Sequence, residues 1–210
     1  TWYNGATAIG TGATLIVNAP GSYSVVGSEP NGCTAAASEI ITQNIVAPTL
    51  AITNLSGTTT LNCTTTTINL SASGGLSYSW SNGSAIVSTS ATYSTTTPGT
   101  YTVTTIGANG CSASASITIS QDISTPSIAL SNTNGTLLNC SITSTTLTAS
   151  GANSYSWSNG SSIVGTTASI NVTTPGTYTV TGTGTNGCTS TATQVITQDL
   201  SAPTASISSS

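Results

Sequence analysis

The amino-acid sequence predicts an all-β chain of tandem antiparallel β-sandwiches with no helix, and three observations support this fold class. The first is a threefold internal repeat of about 77 residues. The second is a set of short stretches in which apolar and polar residues alternate with the period-two pattern of half-buried strands. The third is the presence of Asn-Gly and Pro-Gly turns between those stretches.

Charged side chains are almost absent from the chain, and this excludes most functional classes. The 210 residues contain no Lys, Arg or His, and their formal net charge is −4. Without imidazole, amine or guanidinium groups, the usual bases, metal ligands and phosphate contacts are missing. We therefore predict no catalytic site, no cofactor, no metal and no nucleic-acid partner. No run of about 18 apolar residues is present, so we predict no membrane span.

Aromatic and cysteine residues mark the repeats. Tryptophans recur at intervals of 78 and 77 residues, at Trp2, Trp80 and Trp157. A cysteine in an Asn-Gly-Cys triplet follows each of them by 31 residues, at Cys33, Cys111 and Cys188. A second cysteine precedes the tryptophan by 17 residues in two copies, at Cys63 and Cys140. All eight are predicted structural residues.

These markers predict the domain boundaries. Residues 1–46 form a partial repeat that lacks its first strands, 47–124 and 125–201 form complete repeats, and 202–210 form the first strand of a further repeat. Joining the tail to the head would still leave about 22 residues of a repeat missing. We therefore expect either a window of a longer array or a protomer completed by neighbours.

Each complete repeat contains the pattern of six or seven short antiparallel strands. The segment "TYTVTTIGANGC" alternates, turns at Asn-Gly and resumes as "SASASITIS", which predicts a β-hairpin. Earlier segments such as "TINLSAS" and "SYSW" supply further strands. One tryptophan per repeat on such strands indicates an immunoglobulin-like sandwich. The largest core side chains are predicted to be Trp80 and Trp157, with Tyr101 and Tyr178 nearby.

The quoted segments, with "PGTYTVTTIGANGCSASASITISQD", resemble the Ig-like or PKD-like tandem repeats of giant surface proteins of the Bacteroidota. These include gliding-type adhesins exported by the type IX route. The resemblance covers nearly the whole chain and implies an extracellular stalk or filament that presents an adhesive end. The chain lacks the Asp-rich loops that often bind calcium in related arrays.

The sequence therefore predicts a non-catalytic structural segment of an extracellular filament or adhesin stalk, partnered by its own repeats or by identical chains. The alternative is a binding module in which Thr-rich strands such as 177–181 grip ice or polysaccharide. At Asp122 and Asp199 simple turn hydrogen bonding is favoured over a calcium site, because each linker offers only one carboxylate. Ser and Thr side chains offer attachment sites for glycans, whereas hairpin turns explain the two Asn-Gly-Ser triplets.

Regularly spaced cysteines favour an oxidising, extracellular setting, and two pairings are open. The default pairs Cys63 with Cys111 and Cys140 with Cys188, inside each repeat. The strands that follow Cys63 and Cys111 run in opposite directions, however, so their starts would lie about 20 Å apart. Disulfides require Cα atoms within about 7 Å. End-to-end stacking would instead bring Cys63 near Cys188, and strand geometry slightly favours this joint-spanning bond.

Overall fold

The structure is a computed structural model in which residues 1–207 are described, and all regular structure in those residues is β-strand. The first copy contains β1 Trp2–Asn4, β2 Thr7–Gly10, β3 Gly21–Ser28 and β4 Thr34–Ile41. The second repeat contains β5 Ala51–Asn54, β6 Thr60–Leu61, β7 Ile68–Ser73, β8 Ser77–Ser81, β9 Ile86–Ser88, β10 Thr92–Thr95, β11 Gly99–Ile106 and β12 Ser112–Gln121. The third repeat contains β13 Ala129–Asn132, β14 Leu137–Leu138, β15 Thr145–Ser150, β16 Ser154–Ser158, β17 Ile163–Gly165, β18 Ser169–Val172, β19 Gly176–Thr183 and β20 Thr189–Gln198.

The second and third repeats share one sandwich topology. In the second repeat, a three-stranded sheet of order β10-β7-β5 faces a five-stranded sheet of order β6-β12-β11-β8-β9. The third repeat has the same two sheets, of order β18-β15-β13 and β14-β20-β19-β16-β17. The predicted immunoglobulin-like, all-β fold class is therefore confirmed. The first copy has a single four-stranded sheet, of order β2-β1-β3-β4.

Each complete sandwich has eight strands rather than six or seven, and one of its pairings is parallel. The two-residue strand β6 pairs parallel with β12, with Thr60 beside Ser120 and Leu61 beside Gln121. Because β5 belongs to the opposite sheet, the chain crosses the sandwich between β5 and β6. The short strand then covers the edge of β12, which would otherwise present unpaired backbone groups to a neighbouring chain.

The tryptophans of the complete repeats lie at the centres of the two cores. Trp80 and Trp157 are both fully buried, at 0% exposure. Their indole N–H groups donate to the carbonyl oxygens of Ser90, at 3.1 Å, and Thr167, at 3.0 Å. A buried indole N–H without such an acceptor would destabilise the folded state. The same bond therefore fixes the loop before β10 or β18 against the core.

A tyrosine near the start of β11 or β19 fixes the neighbouring corner. The hydroxyl of Tyr101 donates to the carbonyl oxygen of Thr97 at 3.0 Å, and Tyr178 bonds Thr174 in the same way at 3.1 Å. This four-residue back-bond is the tyrosine corner of immunoglobulin-type sandwiches. In antibody domains a cysteine follows two residues later, and here that position is the fully buried Val103. The sheets of a repeat are thus held together by apolar packing.

In the first copy the corresponding sheet has an open face. Trp2 and Val25 are half-buried, whereas their counterparts Trp80 and Val103 are fully buried. Leu15 to Val17 take the place of β10 in the sequence but form no strand, and Ile16 is 96% exposed. Because β10 hydrogen-bonds to β7, a copy without a β7 has no ladder for this segment to join.

The last described residues follow β20 as an irregular segment. Residues 199–207 contain no strand. The predicted first strand of a further repeat, 202–210, lies partly outside the described residues.

Replacing Trp80 with Ala should lower the free energy of unfolding of the second repeat by roughly 3–5 kcal/mol, because a large buried cavity is created. The matched change Trp2→Ala should cost only about 1–2 kcal/mol, because Trp2 lies on an open sheet face. Urea titration followed by circular dichroism measures both losses. Equal losses for the two variants would contradict the assigned core.

Candidate functional site

The main candidate site is the joint between the second and third repeats, where a disulfide connects the two. Cys63 and Cys188 are bonded, with their Cα atoms 5.0 Å apart and a separation of 125 positions in sequence. Cys63 follows β6 of the second repeat, and Cys188 lies in the hairpin between β19 and β20 of the third. The structure therefore contains the joint-spanning pair and not the pairing within a repeat.

The parallel pairing of β6 with β12 explains why Cys63 reaches this joint. Leu61 lies beside Gln121, at the last turn of the repeat before the linker. Cys111 precedes the start of the same ten-residue strand, so about 33 Å separates the two ends. A loop capped by the Asn62 side chain, whose oxygen accepts from the N–H groups of Thr64 and Thr65 at 3.0 and 2.6 Å, then presents Cys63 to the third repeat.

The Asn-Gly-Cys turn presents the other cysteine. Gly184 and Gly187 close a β-turn at 3.0 Å, and Gly187 adopts a φ of 76°, a left-handed conformation that favours glycine. The Asn186 side-chain oxygen accepts from the Cys188 N–H at 3.1 Å. Cys188 is only 1% exposed, because Thr64 of the second repeat packs over the turn. The two loops are therefore mutually complementary.

Asn186 also holds the linker between the repeats. Its side-chain amide donates to a carboxylate oxygen of Asp122 and to the carbonyl oxygen of Ser124, each at 2.9 Å. One side chain thus bonds its own turn through its oxygen and the preceding linker through its nitrogen. A covalent bond and an amide clamp therefore both fix the third repeat relative to the second, and both lie at the end of the third repeat that faces the second.

The joint between the first copy and the second repeat has the clamp but not the disulfide. The Asn109 side-chain amide donates to the side-chain oxygen of Asn44 at 3.1 Å and to the carbonyl oxygen of Val46 at 2.8 Å. Asn44 thus takes the place of Asp122. In the part of the chain that the structure describes, Cys111 forms no disulfide and no atom lies within 4 Å of a methyl group built on Gly110.

Hydrogen bonding stabilises the charged form of the linker carboxylates. The Ser124 hydroxyl, and then the Asn186 amide, hold the pKa of Asp122 below its ordinary value. The hydroxyl of Ser201 lowers the pKa of Asp199 in the same way. These bonds are the turn hydrogen bonds that the sequence favours over a calcium site at Asp122 and Asp199. Among residues 1–207 there is no group of three or more His, Cys, Asp or Glu side chains placed to hold a metal ion.

The remaining sequence-predicted site residues are distributed along the chain. Cys33 and Cys140 are exposed and Cys111 is half-buried, and none of them is bonded within residues 1–207. Of the predicted aromatic residues, four line the cores and not the joint, namely Trp80, Trp157, Tyr101 and Tyr178. Trp2 lies half-buried on the open sheet face of the first copy. The clamps made by Asn109 and Asn186 were missed, although the repeated Asn-Gly-Cys triplet was the available signal. The turn explanation of the Asn-Gly-Ser triplets agrees with Asn82 and Asn159, whose side-chain oxygens accept backbone N–H groups two residues on.

No helix in the described residues is long and apolar enough to cross a membrane. No protein family matches the sequence, and no curated protein is similar to it. In fold, the chain is similar to part of a 1.5-MDa bacterial ice-binding adhesin, at 18% identity and a TM-score of 0.50, over 86% of this chain and 74% of the other. It is also similar to fibronectin(III)-like modules of Clostridium thermocellum CbhA (13% identity, TM-score 0.35, covering 70% and 95%) and to immunoglobulin domains 1–5 of Sidekick-1 (14%, 0.35, 85% and 45%).

Two glycine substitutions should separate turn strain from joint packing. Gly187→Ala and Gly110→Ala place a side chain at nearly the same positive φ, 76° and 78°, which should cost about 1 kcal/mol each. Only at Gly187 would the new methyl group overlap Thr64, which should add about 1 kcal/mol or more. Thermal unfolding of the two variants measures the difference. Equal destabilisation would mean that Thr64 does not pack on the turn.

The amide clamp of the second joint should respond to acid. Since the folded pKa of Asp122 is lowered from 3.8, the charged acceptor of the clamp is fully present above about pH 4 and is lost as the pH falls through the folded pKa, while the bond to the Ser124 carbonyl stays. The Asn186 side-chain amide signal in an NMR titration should therefore shift at a pH below 3.8. The Asn109 amide, clamped to neutral Asn44, should not shift over the same range. A midpoint for Asn186 at or above 3.8 would disprove the contact.

Proposed function

We infer that this chain is a structural segment of an extracellular filament or adhesin stalk, without catalysis, in which joints between repeats are locked by disulfides. The observation that carries this proposal is the Cys63–Cys188 bond, which connects two sandwiches instead of stabilising one. A module that only needed a stable core would gain most of the same stabilisation, about 4 of 5 kcal/mol in the loop-entropy model, from a bond inside the repeat. A bond across the joint also restricts bending and extension of the two repeats, and resistance to both is what a stalk requires.

The bond gives a short path for mechanical load. Tension applied across the two repeats can pass from residue 47 to Cys63, through the disulfide to Cys188, and on to residue 201. The chain between the two cysteines is then outside the loaded path, so it cannot be drawn out by force. Two folded sandwiches in series would lack this protection, because each could unfold along its whole length.

The composition and the cleft beside the first joint support a non-catalytic role. A cleft beside the first joint is lined by nine residues, of which only Asn44 and Asn109 have polar side chains, and these bond each other. Amide side chains do not ionise near neutral pH, so they supply no general acid or base. The cleft therefore offers the joint clamp and no reactive group.

The location and source are part of the proposal. A disulfide between regularly repeated cysteines favours an oxidising compartment, and the fold similarity includes a bacterial adhesin. We propose a cell-surface protein of the Bacteroidota type, exported as the gliding-type adhesins are, on the strength of the repeated "SYSWSNG" and "PGTYTV" segments. Neighbouring repeats or identical chains are its proposed partners.

A second candidate function is binding to ice or polysaccharide, and one observation favours it. On the outer face of β11 and β12, Thr100 bonds Thr118 at 3.1 Å and Thr102 bonds Ser116 at 2.9 Å. A related row in the third repeat includes Thr179 and Thr193, at 3.4 Å. Because these hydroxyls partly satisfy one another, we rank this function second. Thermal hysteresis and pull-down on insoluble polysaccharides test it directly.

Imaging of the natural material tests the primary function. Negatively stained preparations should show long, unbranched fibres with an axial spacing of roughly 35–45 Å, about the length of one small sandwich. Dispersed particles of the size of a single chain would contradict the proposal.

Single-molecule pulling tests the mechanism of the locked joint. Under oxidising conditions the second and third repeats should release little length, whereas reduction should add up to about 450 Å, from 125 residues at about 3.6 Å each. Cys63→Ser should behave like the reduced chain and should also lose about 4–5 kcal/mol of stability. The matched control Cys140→Ser should behave like the native chain. Full extension of the oxidised native chain would refute the lock.

A further inference from the structure

The two cysteines of the joint disulfide differ in their access to solvent. Cys63 is exposed, whereas Cys188 is only 1% exposed and lies in a turn that Thr64 covers. We propose that Cys63 is a modification site for low-molecular-weight thiols, where a thiolate opens the joint bond and the buried Cys188 then closes it again. This inference deepens the proposed function, because it concerns the bond that locks the joint, but it does not require the chain to form a filament.

The difference in exposure determines which sulfur is attacked. In thiol–disulfide exchange a thiolate must reach one sulfur of the bond, and the other sulfur leaves. Because Cys188 is buried, the attack falls on Cys63. A bond then forms between the incoming sulfur and Cys63 Sγ, the Cys63–Cys188 bond breaks, and its electron pair leaves on Cys188 Sγ. No separate oxidant or reductant is needed, since one disulfide replaces another.

A series of hydrogen bonds connects the two cysteine loops independently of the disulfide. The Cys188 N–H donates to the Asn186 side-chain oxygen at 3.1 Å, and the Asn186 amide donates to an Asp122 carboxylate oxygen at 2.9 Å. Asp122 in turn donates its backbone N–H to the carbonyl oxygen of Leu61, at 2.9 Å, two residues before Cys63. None of these contacts involves a sulfur atom, so opening of the disulfide breaks none of them.

The loop that carries Cys63 is also held by its own hydrogen bonds. The Asn62 backbone N–H donates to the carbonyl oxygen of Thr65 at 2.8 Å, and the Asn62 side-chain oxygen accepts from the N–H groups of Thr64 and Thr65. These contacts lie within the loop and do not depend on the bond to the third repeat. Cys63 therefore keeps its position when the bond opens, and its exposed side leaves room for the added thiol.

Because both loops stay in place, closure of the bond is an intramolecular step. The short distance between the loops gives the Cys188 thiolate an effective concentration at Cys63 that exceeds the concentration of a dilute small thiol. The thiolate attacks Cys63 Sγ, the joint bond re-forms, and the small thiolate leaves. Complete reduction requires a second small thiol to attack the mixed disulfide before Cys188 does. The hydrogen-bonded clamp therefore favours resealing of the joint over its loss.

The third repeat supplies a matched control for the carboxylate of the clamp. Asp199 donates its backbone N–H to the carbonyl oxygen of Leu138 at 2.9 Å, as Asp122 does to Leu61. The Asp199 carboxylate accepts from the Ser201 hydroxyl at 2.6 Å, and no Asn side chain of the described residues donates to it. Removal of the carboxylate at 199 therefore tests the turn alone, whereas removal at 122 tests the turn together with the clamp.

Peptide mapping of the full chain locates the attacked sulfur. Cys33, Cys111 and Cys140 are first alkylated without reduction, and the protein is then treated with reduced glutathione, quenched in acid and digested with pepsin. Glutathione should be attached to Cys63 at least about 10-fold more often than to Cys188. Equal labelling of the two, labelling chiefly of Cys188, or the absence of any adduct would overturn the proposal.

Glutathione redox buffers measure the closing step as the effective concentration of the two joint thiols. Asp122→Ala should lower this effective concentration about 10-fold, because the charged acceptor of the clamp is lost, whereas Asp199→Ala should leave it unchanged. Asp122→Asn should restore it to within about 3-fold, since Asn44 is the acceptor in the clamp of the first joint. Equal effective concentrations for the two alanine variants would disprove the resealing role.

These tests separate the inference from the proposed function. If mapping of the untreated chain shows no Cys63–Cys188 bond, the lock and the inference fail together. If the bond is present but glutathione is attached at Cys188, the lock stands and only the inference fails. Neither result depends on whether the natural material forms fibres.

Discussion

The arrangement of the second and third repeats depends on the requirement that two cysteines from different sandwiches meet at one end of each repeat. Cys63 can reach Cys188 only because β6 leaves the sheet of β5 and runs parallel to β12, ending where the repeat ends. The hairpin between β19 and β20 must in turn point back toward the second repeat, which the left-handed glycine in its turn permits. Strand register, turn conformation and linker length are therefore coupled across the joint, and each repeat contributes a different half of it.

Near-absence of charge shapes how these joints are held. With no Lys, Arg or His in the sequence, the clamps use amides, hydroxyls and a single carboxylate. Asn186 serves two purposes, since its oxygen fixes its own turn and its nitrogen fixes the linker. Such contacts are insensitive to ionic strength, whereas surface ion pairs are screened at physiological salt. A joint built in this way keeps its geometry in media of widely different salt content.

Much of this architecture could be predicted from the sequence. Period-two alternation, Asn-Gly turns and the recurring tryptophan identified the strands and the sandwich class, because these signals are local. The crossing of β6 could not be predicted, since a two-residue strand has no periodicity and its choice of sheet is decided by the edge of β12. The clamps were also missed, because Asn31, Asn109 and Asn186 occupy identical triplets and differ only in which linker lies beside them. Strand direction favoured one of the two possible cysteine pairings, but the choice between them required the relative position of the two repeats.

The disulfide across the joint also changes what a break in the backbone would do. In a simple string of domains, one cut by a protease separates the two sides. Here, any single cut between residues 64 and 187 leaves both fragments attached through Cys63 and Cys188, because the bond bridges that whole stretch. Exposed loops such as the one at Asn82 could therefore be nicked while the two outer ends stay covalently joined. The locked joint thus gives the molecule redundancy, in which continuity of the polymer no longer requires continuity of the main chain.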